Sequence, residues 1–280
     1  MSGSPDTALT PPIARDAPGD AGRPSNSRVA LVTGGSRGIG RAIALGLADR
    51  GYRVAVAART EAEPPADAPY ARHASGTIHD TARRITERGG TAIAIRCDLT
   101  SAKDIEALVR TTLDCFGSID ALVLNAGVDC ESPVPELDID VLDRALAINV
   151  RAPLLVAKFA LPAMIARESG SIVAVSSGAA GGYRPGRVGY SMTKIALERM
   201  CLSLAEEVRP HGIAVNALRP GRIDTWMNRR GDWPGTGHIP LEEPDAVVPG
   251  ALWLVEQTAS TFTGQVVDRA DFGRTWGPRE

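Results

Sequence analysis

The sequence predicts an α/β fold: a single doubly wound domain with a seven-stranded parallel sheet and helices on both faces. Three observations predict it. Short apolar runs alternate with stretches of helical periodicity along the chain. Runs such as Val29–Val32 and Val54–Ala58 are apolar at consecutive positions, the pattern of strands buried on both faces. A glycine-rich turn joins the first run directly to the first helical pattern.

The 280 residues suit one large domain with a sizeable core. A hydrophobic content of 44% and a charged content of 23% are ordinary for a globular chain. A net charge of −2 gives no electrostatic reason to expect nucleic acid or an anionic membrane as partner. No run reaches the ~18 apolar residues of a membrane span. Cys97, Cys115, Cys130 and Cys201 are widely spaced, without a CxxC pair. They read as free thiols in a reducing compartment, so the chain is expected to be cytoplasmic. No metal site is expected. Residues 1–27, rich in Pro, Gly, Ser and Asp, read as a disordered tail, and the folded domain runs over 28–280.

The first strand leads into Thr33-Gly-Gly-Ser-Arg-Gly-Ile-Gly40, after which Ile39, Ile43 and Leu47 recur at helical spacing until Gly51. Backbone N–H groups converge where a strand and a glycine turn open a helix, and the helix dipole favours phosphate there. The candidate anion site comprises Gly34, Ser36, Arg37, Gly38, Ile39 and Gly40. It is not a phosphate loop of the Walker type, because Arg41-Ala42 stands where Lys-Ser/Thr is required. The second strand ends in Ala58-Arg59. In dinucleotide folds an acid at this place binds a ribose 2′-hydroxyl, and an arginine suits a 2′-phosphate. Arg59 and Arg37 therefore point to NADP(H) over NAD(H).

Glu61–Gly76 reads as a long surface loop, and Thr77 and Ser101 as caps of the next two helices. The third strand, Thr91–Arg96, delivers Asp98 and Leu99 to the carboxyl edge of the sheet, where ligands collect. The fourth, Ile119–Leu124, delivers Asn125, Ala126 and Gly127. A helical pattern follows from about Asp138 to Arg167, interrupted by Pro153 and Pro162. Asn149, just before Pro153, is expected at a local distortion with its amide free to bind water. The sixth strand, Ile213–Leu218, leads into Arg219-Pro-Gly-Arg-Ile-Asp-Thr225. Trp226–Pro244 lacks periodicity and is expected to act as a lid on the ligand face. A helix over Asp245–Gln257 and a strand at Gln265–Val267 close the count.

Between them lies Ser171–Lys194. A fifth strand, Ile172–Val175, releases Ser176 and Ser177, and a glycine-rich loop leads to Tyr190-Ser-Met-Thr-Lys194. Tyr190 and Lys194 fall one helical turn apart on the same face. At ~4 Å and an effective dielectric of ~20, a charged amine attracts a phenolate by ~4 kcal/mol before desolvation. That is enough to draw a phenol toward neutrality and make it a proton donor and acceptor. Two residues at this spacing are a weak signal, since many surface helices carry such a pair.

The motifs taken together resemble the short-chain dehydrogenase/reductase family, in its single-domain Rossmann branch. The likeness covers about Arg28 to Phe272. It rests on Thr33-Gly34-x-x-x-Gly38-Ile39-Gly40, Asn125-Ala126-Gly127, Asn149, Ser177, Tyr190-x-x-x-Lys194 and Pro220-Gly221-x-x-x-Thr225. The intervals agree as well: 24 residues from Asn125 to Asn149, 28 to Ser177 and 13 to Tyr190. The resemblance implies an oxidoreductase moving a hydride between NADP(H) and a carbonyl or secondary alcohol. It implies that Tyr190 exchanges a proton with the substrate oxygen, Ser177 orients that oxygen, and Lys194 lowers the Tyr190 pKa and binds the nicotinamide ribose. Asn149 would hold a relay water. Asp98 and Leu99 would hold the adenine, Asn125–Gly127 the adenosine side, and Pro220, Gly221, Ile223 and Thr225 the carboxamide and a phosphate. A homodimer or homotetramer is implied too. An NAD-dependent alcohol dehydrogenase and a catalytically silent NADP-binding regulator are the alternative readings. Val267-Asp-Arg-Ala270 replaces the family's usual closing Asp-Gly-Gly. Arg184, Arg187 and Arg222, with Tyr183 and Trp226, flank the expected pocket and raise the expectation of an acidic substrate.

Overall fold

The computed structural model describes residues 28–63, 75–229 and 240–278. The proposed tail, the middle of the Glu61–Gly76 loop and the centre of the proposed lid lie outside the described residues. In chain order the first half reads β1 (Val29–Thr33), α1 (Gly38–Asp49), β2 (Arg53–Ala58), α2 (Ile78–Glu87), β3 (Thr91–Arg96), α3 (Ala102–Phe116) and β4 (Ala121–Leu124). Then come α4 (Ile139–Leu146), a π-helical turn (Ala147–Arg151), α5 (Ala152–Ala166), β5 (Gly170–Val175) and α6 (Val188–Val208). The chain closes with β6 (Ile213–Arg219), α7 (Trp226–Arg229), α8 (Val248–Val255) and β7 (Gln265–Asp268).

The seven strands form one sheet in the order β3-β2-β1-β4-β5-β6-β7, and every pairing is parallel. The order reverses between β1 and β4, which opens a crevice at their carboxyl ends. Successive residues of β1 serve opposite cores. Leu31 packs with Ile105, Leu122, Met164 and Leu197 on one face, and Ala30 and Val32 with Ile43, Val54, Val123 and Leu252 on the other. Because both faces are covered, the strands carry no polar alternation.

Boundaries differ from the sequence reading by one to three residues, except in two instructive places. Pro162 sits inside α5 without ending it. It is exposed, and so is Lys158, whose carbonyl loses its helical donor to the proline. The break falls earlier, at Ala147–Arg151, where the Ala152 N–H reaches the carbonyl of Ala147 in π register. Ile139–Ala166 is the one described helical stretch long and apolar enough to cross a membrane. Its inner residues, among them Val156, Ala160 and Met164, are part of the core.

The C-terminal departure from the family pattern has a structural role. Arg269 donates to the Pro220 carbonyl at 2.8 Å and pairs with the Glu242 carboxylate. It thereby joins the turn after β6 to the segment returning from the proposed lid. Beyond it, Trp276 and Phe272 stack edge-on with Trp253 of α8.

Candidate active site

The crevice between β1 and β4 is laid out by hydrogen bonds between their ends. Thr33 donates its hydroxyl to the Val123 carbonyl at 3.2 Å and accepts from the Asn125 N–H at 3.1 Å. The Asn125 amide donates to the carbonyls of Thr33 and Gly34, at 3.0 and 3.2 Å. The glycine turn is therefore pinned from below by a side chain. A Cβ on Gly40 would lie 2.3 Å from the Gly34 carbonyl oxygen and 2.4 Å from the Asn125 amide nitrogen. Gly34 and Gly38 have φ of 69° and 54°, a conformation that L side chains rarely adopt.

The helix that this turn opens differs from its neighbours at the N-terminus. Thr77 caps α2 and Ser101 caps α3, each accepting from a backbone N–H. Helix α1 has no side-chain cap and no acid in its first turn. Its leading N–H groups face a cavity of about 1020 Å³ with no protein acceptor supplied by a cap. A pyrophosphate fits that arrangement. Arg37 and Arg59 line the same end, with Arg37 donating to the Thr60 hydroxyl at 2.9 Å. Glu63 stands close enough to Arg37 to act on its charge, and its carboxylate accepts the Gly76 N–H. The ends of the Glu61–Gly76 loop are thus folded against the glycine turn.

Tyr190, Lys194 and Ser177 line the other end of the cavity. Ser177 leaves β5 and opens a short 3₁₀ turn, where its hydroxyl accepts from the Ala179 N–H at 3.2 Å. Tyr190 and Lys194 lie on the buried face of α6. The phenol donates to the Met227 sulfur at 3.7 Å, and the Arg187 guanidinium lies 5.6 Å from the ring centre. Burial pushes the Tyr190 phenol well above its ordinary range, with a Ser177 hydrogen bond working the other way. The Lys194 amine faces the same ring, and the effect of burial prevails over the expected draw toward neutrality. The amine turns to the Val175 carbonyl at 3.0 Å and lies 5.8 Å from the ring centre.

Lys194 is 3% exposed, and burial pulls its amine down to about 8, with Glu198 pulling it up. This folded value lies below the ~10.4 of an unfolded lysine. Charging the amine in the folded state therefore opposes folding below about 8, and the penalty fades as pH rises to ~10.4. Lys194→Met should accordingly be the more stable protein at pH ~7, by a few kcal/mol on this shift. The gap should have largely closed in denaturant unfolding at pH ~10.5, where the amine is neutral in the folded state and about half neutral in the unfolded one.

Asn149 departs from expectation. Its amide is fully engaged: it donates to the Val128 carbonyl at 2.8 Å and the Thr193 hydroxyl at 3.0 Å, and its oxygen accepts the Val128 N–H at 2.8 Å. It is buried in the π turn and ties the loop after β4 to α6. Pro153 has no N–H, so the Asn149 backbone carbonyl lacks its α-helical donor.

Most of the other expected positions converge on the cavity: Ser36, Ile39, Leu99, Ala126, Gly127, Pro220, Gly221 and Thr225 all line it. Asp98 and Ile223 do not. The Asp98 carboxylate accepts from the Thr100 N–H and hydroxyl, at 2.9 and 2.8 Å, and these bonds hold it below the usual range. Ile223 is fully buried in the core and bridges to Glu242. Tyr183 is wholly exposed, whereas Trp226 opens the short α7 beside the cavity. Arg184, Arg187 and Arg222 do line the cavity, but so do Asp129, Asp224 and Glu243, and Arg187 is paired with the half-buried Glu131. The charges beside these arginines are thus of both signs. Thr60, Cys97 and Met227 line the cavity without having been singled out. Thr60 and Cys97 adjoin motif residues, and that adjacency was the available signal.

A sequence model of the short chain dehydrogenase family matches residues 28–232. The chain belongs to this family. The short-chain dehydrogenases similar to it include a 3-oxoacyl-[acyl-carrier-protein] reductase of Synechocystis, 32% identical over 85% of this chain and 94% of the relative. Human dehydrogenase/reductase SDR family member 4 is 34% identical over 87% of this chain and 86% of its own length. Among solved structures, a dehydrogenase/reductase from Sinorhizobium meliloti superposes with a TM-score of 0.72 at 32% identity, covering 86% and 92% of the two chains. A Beutenbergia cavernae protein with NADP bound at low occupancy superposes at 0.74 and 29% identity, covering 86% and 94%. The family is one of oxidoreductases that take NAD(P), and the fold of this chain is theirs.

Proposed function

We propose that this short-chain dehydrogenase reduces ketones or aldehydes with NADPH, and oxidises the corresponding secondary or primary alcohols in reverse. The observation that carries the reading is the single cavity with an uncapped, glycine-lined helix N-terminus at one end and Ser177, Tyr190 and Lys194 at the other. When bound, NADP(H) supplies or accepts the hydride. The chain supplies position and protons. Gly34–Gly40 holds the pyrophosphate, Arg37 and Arg59 the 2′-phosphate, and Pro220–Thr225 the carboxamide side. The Ser177 hydroxyl orients the substrate oxygen, and the Tyr190 phenol gives it a proton. An amine near 8 lets Lys194 exchange protons at working pH and return one toward Tyr190. The Asn149 carbonyl, deprived of its donor by Pro153, is the place for the relay water, in the role first expected of the amide. With C4-deuterated NADPH, deuterium should appear on the carbinol carbon of the product; deuterium found only in solvent would contradict the reading.

The cofactor preference has its own test. Charge-assisted hydrogen bonds contribute about 1.5–3 kcal/mol each. Arg37→Ala and Arg59→Ala should therefore each weaken NADPH about 10- to 100-fold and leave NADH nearly unchanged in a fluorescence titration. Equal losses for both cofactors would overturn the 2′-phosphate assignment.

The same reading includes a homo-oligomer in the cytoplasm. Ile139 and Leu154 on α4 and α5, and Val188, Met192 and Ile195 on α6, expose large apolar side chains that a second copy would cover.

A further inference from the structure

Glu198 is a buried carboxylate that this chemistry does not use. It is 3% exposed and sits one turn beyond Lys194 on α6, as Lys194 sits one turn beyond Tyr190. A carboxylate buried this deeply needs charged or hydrogen-bonding partners. It receives them from two other elements. Arg219, the last residue of β6, grips both oxygens, donating from Nε and from a terminal nitrogen at 2.8 Å each. Ser176, just after β5, donates its hydroxyl at 2.6 Å. Each partner adjoins a group that the reaction needs. Ser176 precedes Ser177, Arg219 precedes Pro220 and Gly221, and the Lys194 amine bonds to the carbonyl of Val175, the residue before Ser176.

We propose that Glu198 is a positioning residue of the active site, tying the segments that carry Ser177 and Pro220 to the helix that carries Tyr190 and Lys194, and supplying the counter-charge to the Lys194 amine. The proposal rests on Lys194 serving turnover. The other groups around the amine leave this task to Glu198. Cys201, on the same helix, has its thiol pushed up to about 12 by burial and is neutral. Asn149 and Gly127, which approach from the other side, carry no charge. Arg219 is shared with Asp268 of β7 at 3.6 Å, so the network reaches the next strand as well.

The chain contains three lysines, Lys103, Lys158 and Lys194, so NMR of ¹³C-labelled lysine can follow the buried amine in the cofactor-free protein. Its resonance is assigned by its loss in Lys194→Met. The wild-type midpoint is expected near about 8. Glu198→Gln keeps the shape and removes the charge, and should lower the midpoint by about one unit. The same variant should move the high-pH fall of kcat to lower pH by an equal amount, with KM little changed. Glu198→Gln also leaves Arg219 without its main counter-ion, which can destabilise the fold. The double variant Glu198→Leu/Arg219→Met replaces the pair with apolar side chains and should also lower the midpoint, by less than Glu198→Gln because a cation leaves with the carboxylate. A Lys194 midpoint unmoved in the folded variants, or a lowered Tm with an unmoved kcat profile, would overturn the proposal. Tyr190→Phe separates the two levels. If Tyr190→Phe retains turnover, the reading of the reaction fails; if it is inactive while the Lys194 midpoint ignores Glu198, only the role of Glu198 fails.

Discussion

Tyr190→Phe should cut turnover by roughly 100- to 10,000-fold, the range that one positioned proton donor contributes, while NADPH affinity stays nearly unchanged. The reason is geometric. The phenol is 6% exposed, faces the cavity, and bonds to a weak sulfur acceptor and to the Ser177 hydroxyl. Phenylalanine keeps the ring beneath Arg187 and the packing against Cys130 and Ala179, so stability should move little. What disappears is a proton at the substrate oxygen. Burial holds the phenol in its protonated form, the form from which carbonyl reduction starts. Steady-state kinetics with a nucleotide titration on the same preparation checks both halves. Loss of nucleotide binding in parallel with turnover would mean that the hydroxyl is structural.

Gly40→Ala should have the largest combined effect on stability and cofactor binding. The added methyl would meet the Gly34 carbonyl at 2.3 Å, and the second obstacle, the Asn125 amide at 2.4 Å, is held by its own two hydrogen bonds. Neither can give way without moving the turn or breaking the link from β1 to β4. Overpacking of this kind costs about 1–3 kcal/mol. For a domain of this size each kcal/mol lowers Tm by about 2–4 °C. NADPH binding should fall further than stability does, since the displaced backbone is the surface that would meet the pyrophosphate. Gly178→Ala is the stability control, because a Cβ there meets nothing within 4 Å and Gly178 is not among the positive-φ glycines. Equal melting temperatures for Gly40→Ala and wild type would show that the turn is softer than its packing implies.

The sheet was legible in the sequence because its strands are buried on both faces and say so in consecutive apolar residues. The glycine turn was legible because strand, turn and helix are contiguous. Tyr190 and Lys194 were legible as a pair because helical spacing is local. Relations that span the fold were not. Asn149 was expected to have a free amide; its partners are Val128, on the loop after β4, and Thr193, 44 residues on, and neither spacing is visible in one chain. Lys194 does lie over the Tyr190 ring, as helical spacing implied, but its hydrogen bond goes to a carbonyl at the strand end that a one-dimensional pattern does not reveal. Glu198 was not singled out, although it extends the series Tyr190, Lys194 at the same interval and shares the buried face with Leu197 and Cys201. Asp98 was read as a ligand residue because it follows a strand, yet its carboxylate serves the turn into α3.

The central claim is that this chain reduces carbonyl groups with NADPH through Tyr190. Following the absorbance of NADPH and NADH over a panel of chemically diverse ketones and aldehydes, with wild type and Tyr190→Phe side by side, tests it most directly. The account predicts that wild type consumes NADPH faster than NADH with some members of the panel and that Tyr190→Phe is slower by at least about 100-fold with each of them. Undiminished turnover by Tyr190→Phe, or NADPH binding with no turnover across the whole panel, would contradict it.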